Sequence, residues 1–208
     1  MKEIGFSVIL EDAIDGADLL RRLERAGRTC YKSEDRITGD SAQKFVAMLL
    51  RSGHESVLEH EKVTLRLICD RGVTHEIVRH RIGSYSQEST RYCNYGAEKF
   101  GREITCIRPS FWADDSPQLA LWREAMRDAE RHYFALLDAG ATPQEARAVL
   151  PNALKTEIVV TYDLREWRHF LRLRLSPAAH PQIRELAAEI QRILRENVPV
   201  VFDEIITH

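Results

Sequence analysis

This sequence predicts an α+β fold in a single domain spanning residues 1–208, and three observations carry that expectation. The chain has 208 residues, 44% of them hydrophobic, with no repeat, low-complexity tract or linker-like stretch, which suits one domain with a sizeable core. Strand-like stretches are few and do not alternate strictly with helical ones, which favours α+β over a doubly wound sheet. Neither GxGxxG nor GxxxxGK(S/T) occurs, so the phosphate loops of Rossmann and P-loop folds are missing.

The elements follow in order along the chain. Ile4 to Leu10 is expected as a strand. Asp15 caps a helix that runs to about Ala26 and stops at Gly27, and Asp40 or Ser41 caps a second that stops at Gly53. Val63, Leu65 and Leu67 alternate with Lys62, Thr64 and Arg66, the pattern of a half-buried strand. A short helix is expected from Val73 to about Arg79. Ser84 to Gly96 is polar and without a clear period, so it is expected as an ordered loop with room for a helical turn. Ile104 to Ile107 suits a strand.

Ser116-Pro117 opens the longest helix, with proline at its favoured first position, and Gly140 ends it. Thr142-Pro143-Gln144-Glu145 is a capping box whose short helix stops near Pro151. Thr156 to Tyr162 is expected as a strand. Asp163 then caps a helix with Glu166 three residues on, Ser176-Pro177 ends that helix, and Pro181 to Asn197 forms the last one.

Composition excludes several function classes. Thirty basic residues against thirty-two acidic give a formal net charge of −2, which argues against a general nucleic-acid or membrane-surface binder. No run approaches the roughly 20 apolar residues of a membrane helix. The start, MKEIGFSVILEDAIDG, lacks the regions of a signal peptide, so a cytoplasmic location is expected. Cys30, Cys69, Cys93 and Cys106 form no CxxC or zinc-like spacing and are expected as free thiols. The histidines form no HExxH, and no structural metal is expected.

Chemistry concentrates in three places. Arg79-His80-Arg81 is followed closely by Ser84, Ser86, Gln87, Ser89 and Arg91. Guanidinium groups bind phosphates in bidentate fashion, and hydroxyls and backbone amides complete such sites. A solvated basic turn is the plainer alternative. At roughly 100° per residue, Leu164, Trp167, Phe170, Leu171 and Leu175 form one apolar arc, and Arg174 falls inside it. Arg165, Arg168 and Arg172 fall on a different flank. An arginine on a core-facing stripe needs an ion-pair partner or a bound anion, and both readings stay open. Third, His54-Glu55-Ser56-Val57-Leu58-Glu59-His60 carries two histidines and two glutamates, in no standard metal spacing.

The string RHRIGSYSQESTRY resembles the RHRxxSxxxxSxR signature of the flavin-dependent thymidylate synthases. Arg79, His80, Arg81, Ser84, Ser89 and Arg91 fill every fixed position. HESVLEH at 54–60, ARAVLP at 146–151 and FLRLR at 170–174 are similar to further segments of that family, so the likeness spans about residues 50–195. The resemblance implies an α+β fold with a central antiparallel sheet flanked by long helices, assembled as a homotetramer with shared active sites. It implies conversion of dUMP to dTMP, with FAD as cofactor, and methylenetetrahydrofolate and NADPH as co-substrates.

Carried over by position, His54, Ser56, Arg79, His80, Arg81, Gln87, Asp163, Arg165 and His169 are expected around the flavin. Glu76, Arg79, Gln87, Glu88, Ser89, Thr90, Arg91, Arg147 and Arg174 are expected around dUMP, with Gln87 and Glu88 between the two ligands. The sequence departs from relatives at Gln87, often glutamate, and at Asp163 and His169, asparagine in some. Reduced flavin supplies hydride in this family, no cysteine attacks the uracil, and Arg174 is the residue expected to stabilise charge on the uracil carbonyl. A single-strand-binding module, with Tyr85, Tyr92 and Tyr95 as stacking platforms, is the competing class. The near-neutral charge argues against it.

Overall fold

Alternating and helical apolar patterns place most elements where local chemistry directs. The computed structural model describes residues 1–11 and 13–205. In chain order these form β1 (Lys2–Ile4), β2 (Ser7–Leu10), α1 (Gly16–Tyr31), α2 (Ser41–Arg51), β3 (Lys62–Asp70), α3 (Arg71–Ile77), β4 (Ser84–Gln87) and β5 (Thr105–Ile107). The chain continues with α4 (Pro117–Asp138), α5 (Pro143–Ala146), β6 (Lys155–Asp163), α6 (Leu164–Arg174) and α7 (Pro181–Asn197). Short 3-10 turns include Glu55–His60 and Arg147–Val149.

The main sheet has four strands in the order β2-β3-β6-β4. Arg71 N–H donates to Leu154 O at one end of β3, and Leu164 N–H donates to Glu61 O at the other, so β3 and β6 run antiparallel. Along β6, Thr156, Ile158, Val160 and Tyr162 are buried and the residues between them half-buried. That is the period-2 pattern of a strand with one face in the core.

Three differences from the sequence expectation have local causes. The stretch expected as one strand, Ile4 to Leu10, splits at Gly5-Phe6 into β1 and β2, which join different sheets. β1 pairs with β5 in parallel, so a small parallel sheet accompanies the antiparallel one. Within the stretch expected as a loop, Ser84 to Gln87 forms β4; its alternation of exposed serines with half-buried Tyr85 and Gln87 carries no apolar signal. The expected helical turn follows it, with Cys93 N–H donating to Ser89 O at 2.9 Å.

Gly27 does not stop α1, which continues to Tyr31 and ends at Lys32 in the left-handed region (φ 47°). The glycine instead permits close packing: a Cβ there would lie 2.6 Å from the Phe45 ring and 3.3 Å from Leu49 of α2.

The chain expected as one domain traces through two compact units, each assembled from separate segments. One comprises Met1–Ser7, Leu67–Arg79 and Ser86–Ile158. Its core gathers Tyr95, Ile104, Cys106, Met126, Tyr133, Ala146 and Leu154. The other comprises Val8–Arg66, His80–Tyr85 and the chain from Val159 on. There α1, α2, α6 and α7 bury Leu23, Val46, Leu49, Trp167, Phe170, Leu171, Ile190 and Leu194. Trp167 Nε1–H donates to Val63 O at 2.9 Å, so even this buried indole has its polar atom satisfied. Among the described residues, no helix is long and apolar enough to cross a membrane.

Gly83, inside the arginine-rich motif, tests the packing of the second unit. A Cβ at this position would overlap the Tyr162 ring. Tyr162 is buried, packs on Trp167 at 4.5 Å between centroids and shares a 2.8 Å hydrogen bond with Tyr85, so it has little room to move. Gly83→Ala is expected to destabilise the protein by about 1–3 kcal/mol through overpacking. Gly39→Ala, where nothing lies within 4 Å, is the matched control in denaturant unfolding. Equal stability of the two variants would show that the Tyr162 cluster yields.

Candidate active site

The two units hold different parts of the expected residue set. In the first, α3 is capped by Asp70, whose carboxylate accepts from Val73 N–H at 2.7 Å. The helix carries half-buried Glu76 and delivers the chain to Arg79, which is exposed. Beyond β4, Gln87 Nε2 donates to Thr74 Oγ1 at 3.1 Å and Thr156 Oγ1 at 3.3 Å. Those two bonds fix its amide in place.

Glu88 accepts from Tyr95 O–H at 2.9 Å and from Lys155 Nζ at 3.0 Å, and Lys155 also reaches Glu157 at 2.6 Å. Burial, reinforced by Glu88, pushes the Tyr95 hydroxyl pKa upward, so it remains a donor. Ser89 Oγ accepts from Arg91 N–H at 3.2 Å. Buried Thr90 meets Arg147 Nη1 at 3.4 Å, joining the motif to the turn after α5. Among the described residues, Arg79, Arg91 and Arg147 form no ion pair, and all three are exposed.

In the second unit, the reversal from β6 into α6 organises the site. Asp163 caps α6 by accepting Glu166 N–H at 2.7 Å. His80, only 5% exposed, lies against Phe170 of α6 (4.9 Å between centroids) and His169 (5.6 Å). Tyr85 O–H donates to its backbone carbonyl. Both imidazole nitrogens are engaged: Nδ1 with Glu166 Oε1 at 2.9 Å, and Nε2 with Arg174 Nε–H at 3.2 Å.

Burial, with the Arg174 and His169 charges, lowers the His80 pKa to about 4, so the ring is neutral at physiological pH. Burial and then Asp163 raise the Glu166 pKa to about 7. His80, Glu166 and His169 present ligand-type atoms within 4.8 Å of one another. A cation there would meet a histidine with both nitrogens committed and the Arg174 guanidinium beside it.

Other expected residues stand apart from this cluster. Exposed His54 hydrogen-bonds Tyr31 O–H through Nδ1 at 2.8 Å, and Arg165 pairs with Glu59. Ser56 and Arg81 are exposed, and Arg81 forms no ion pair among the described residues. Arg168, which helical geometry grouped with Arg165 and Arg172 on a flank apart from the apolar arc, is buried. It donates to the Val201 carbonyl and, with Arg172, to Glu55. Burial alone would raise the Glu55 pKa, but the two arginines outweigh it and the pKa is lowered.

Sequence reasoning gave Lys155 no role, Glu166 only a place in the α6 cap, and Tyr95 only that of a stacking platform in the competing class. Glu166 had a legible signal: it precedes Phe170 by one helical turn and Arg174 by two, so all three share a helix flank.

Exposed arginines without carboxylate partners, set beside serine and threonine hydroxyls, make a donor set suited to phosphate groups. Residues 14–200 match the family described as "Thymidylate synthase complementing protein". A flavin-dependent thymidylate synthase from Geobacter sulfurreducens is 35% identical over 184 residues, covering 85% of this chain and 78% of that protein. One from Corynebacterium aurimucosum is 36% identical over 200 residues, covering 88% and 78%. The chain is also similar to a crystal structure of the UMP/dUMP methylase PolB from Streptomyces cacaoi bound with 5-Br dUMP. That match has a TM-score of 0.80 and 26% identity, covering 98% of this chain and 96% of the other. The chain belongs to the flavin-dependent thymidylate synthase family, a family of methyltransferases.

The raised Glu166 pKa has a consequence for stability. A carboxyl that prefers its neutral form when folded stabilises the protein at low pH, and that contribution is lost as pH rises through its folded value, about 7. Glu166→Gln cannot titrate. The unfolding midpoint of the variant minus that of the native chain is therefore expected to grow from about pH 5 to about pH 8. A flat difference across that range would mean the carboxyl titrates at its ordinary value.

Proposed function

We propose that this protein makes dTMP from dUMP, with FAD as cofactor, methylenetetrahydrofolate as carbon donor and NADPH as reductant, and without a cysteine nucleophile. The observation that carries the reading is the filled RHRxxSxxxxSxR string inside a family match covering residues 14–200. A cytoplasmic homotetramer, with active sites completed by neighbouring subunits, belongs to the same proposal.

The residues present suit a flavin dinucleotide and a nucleoside monophosphate. Both ligands carry phosphate, and Arg79, Arg81, Arg91 and Arg147 are exposed with no carboxylate partner among the described residues. In this reading His54, Ser56, Arg79, His80, Arg81, Asp163, Arg165 and His169 hold the flavin. Glu76, Arg79, Ser89, Thr90, Arg91, Arg147 and Arg174 hold dUMP, and Gln87 and Glu88 lie between the two ligands. Bound flavin supplies the hydride chemistry that amino-acid side chains lack.

The chain's own contribution is orientation and charge. Arg174 stabilises negative charge on the uracil carbonyl, an interaction that strengthens as charge develops. Its Nε–H bond to His80 sets the plane of the guanidinium. The cysteines suit a mechanism without thiolate attack. Cys69 and Cys106 are buried, and burial raises both thiol pKa values, that of Cys106 to about 12.

The direct test is anaerobic incubation of the protein with FAD, NADPH, methylenetetrahydrofolate and dUMP, with UMP in a parallel reaction. dTMP is the expected product, and a yellow holoprotein is expected where a single-strand-binding module would be colourless. Arg174→Ala is expected to lower turnover by about 10²–10³-fold while sparing flavin binding and its reduction by NADPH. Arg174→Lys is expected to be poor as well, because an ammonium cannot reproduce the planar fork. Proportionate loss of stability and of both half-reactions would instead assign Arg174 a structural role. Cys93→Ala is expected to keep dTMP formation within about tenfold, roughly 1.4 kcal/mol of barrier. Abolished turnover with both ligands still bound would establish covalent catalysis.

A further inference from the structure

The contacts around His80 carry information about a residue that the proposed function leaves unused. An arginine side chain only donates, so the Nε–H of Arg174 requires a lone pair on His80 Nε2. A neutral imidazole has one protonated nitrogen, so its proton is on Nδ1. Nδ1–H points at Glu166 Oε1, 2.9 Å away. Glu166 must therefore accept.

We propose that Glu166 is a positioning residue for Arg174: by accepting from His80 Nδ1–H it selects the imidazole tautomer whose Nε2 orients the guanidinium. This rests on the reading of Arg174 given above.

The surroundings support a carboxylate used in this way. The Glu166 side chain is 13% exposed and that of His80 is 3% exposed, so water competes poorly for their hydrogen bond. Phe170 packs on the His80 ring, and Tyr85 holds the His80 carbonyl, which limits the ring's freedom to turn. The backbone N–H of Glu166 is tied to Asp163, which fixes the start of the helix that also carries Arg174.

Several titratable groups face Glu166. They include His80, His169 with a ring nitrogen within 4.8 Å of the carboxylate, Asp163 from its own helix cap, Tyr162 from β6 and Tyr85 from β4, with Arg174 at the other nitrogen of the imidazole. Asp163 and burial oppose ionisation, which moves the carboxyl into the neutral range. Protonation would reverse the relay. A carboxylic acid donates strongly and accepts weakly, so its O–H would take the Nδ1 lone pair and move the ring proton to Nε2. That proton would face the Arg174 N–H, and the contact would break. Turnover should thus fall on the acid side as pH drops through about 7.

The test is single-turnover dTMP formation by the reduced, FAD-loaded enzyme, measured against pH. Glu166→Gln is isosteric, cannot titrate and still offers an amide oxygen to Nδ1–H. It should keep activity within about threefold near neutral pH and lose the acid limb. Glu166→Leu offers no acceptor and should lower the rate about 10–100-fold, with dUMP affinity and flavin retention unchanged. In an Arg174→Ala background the further loss from Glu166→Leu should vanish, because the two residues act as one unit.

An acid limb that persists in Glu166→Gln overturns the proposal. So does a Glu166→Leu loss of equal size with and without Arg174, or one accompanied by matching losses of dUMP and flavin binding. If Arg174→Ala itself spares turnover, the reading of Arg174 fails and takes the proposal with it. If Arg174→Ala is inactive while Glu166→Leu behaves as the native chain, the proposal alone fails.

Discussion

Tyr162, Asp163 and Leu164 take the chain from strand to helix without an intervening loop, and the geometry of the second unit follows from that junction. Asp163 ends β6 and its carboxylate accepts the Glu166 N–H, so the first turn of α6 is set by the last residue of the strand. Each residue then advances about 100° around the helix. Trp167, Phe170 and Leu171 enter the core, and Glu166 and Arg174 reach the two nitrogens of His80. Starting the helix one residue later would bring a charged neighbour to the place of Trp167. The indole bond to Val63 O opposes such a slip, because it is formed in only one register.

The same junction explains why much of the fold was legible in the sequence. Asp15, Ser116, the Thr142–Glu145 box and Asp163 each accept backbone N–H groups at the start of a helix, as their types and positions imply. Local chemistry decides such caps, so local sequence reveals them. The misses are places where distant partners decide. Gly27 has the residue type of a helix stop, but its lack of a side chain serves the approach of Phe45. β4 is a strand because β6 offers it a ladder, and SYSQ has no apolar alternation to announce that. Gly5-Phe6 divides the first strand because β5 recruits its beginning and β3 its end.

The candidate site divides along the same line. Arginines, serines and the motif histidine were legible because a spacing signature names them. Two groups that tune them, Glu166 for His80 and Lys155 for Glu88, come from elements far away in sequence, and Tyr95, which also bonds Glu88, lies just outside the signature. Arg168 shows the limit of helical-wheel reasoning most clearly. Its angle placed it off the apolar arc, yet it is buried, because Glu55 and the Val201 carbonyl give its charge and hydrogens partners. A wheel records direction from the helix axis and says nothing about what a neighbouring element brings to meet it.

Charge is arranged by the same rule of partners. Arg22, Arg28, Arg123, Arg168, Arg172 and Arg192 each meet a carboxylate within the protein. Arg79, Arg81, Arg91 and Arg147 meet none among the described residues, although acidic residues outnumber basic ones in the chain. Acidic residues are therefore not scarce; they are placed elsewhere. Keeping carboxylates away from these arginines lets an incoming phosphate replace water alone, with no ion pair to break first. Arg174 is handled differently. Its Nε–H donates to a neutral imidazole, whose pKa the guanidinium itself helps to lower, and that contact gives the group a direction. A neutral acceptor at Nε orients the guanidinium without placing a negative charge on that nitrogen, whereas a carboxylate there would offset part of the field it is proposed to bring to the carbonyl.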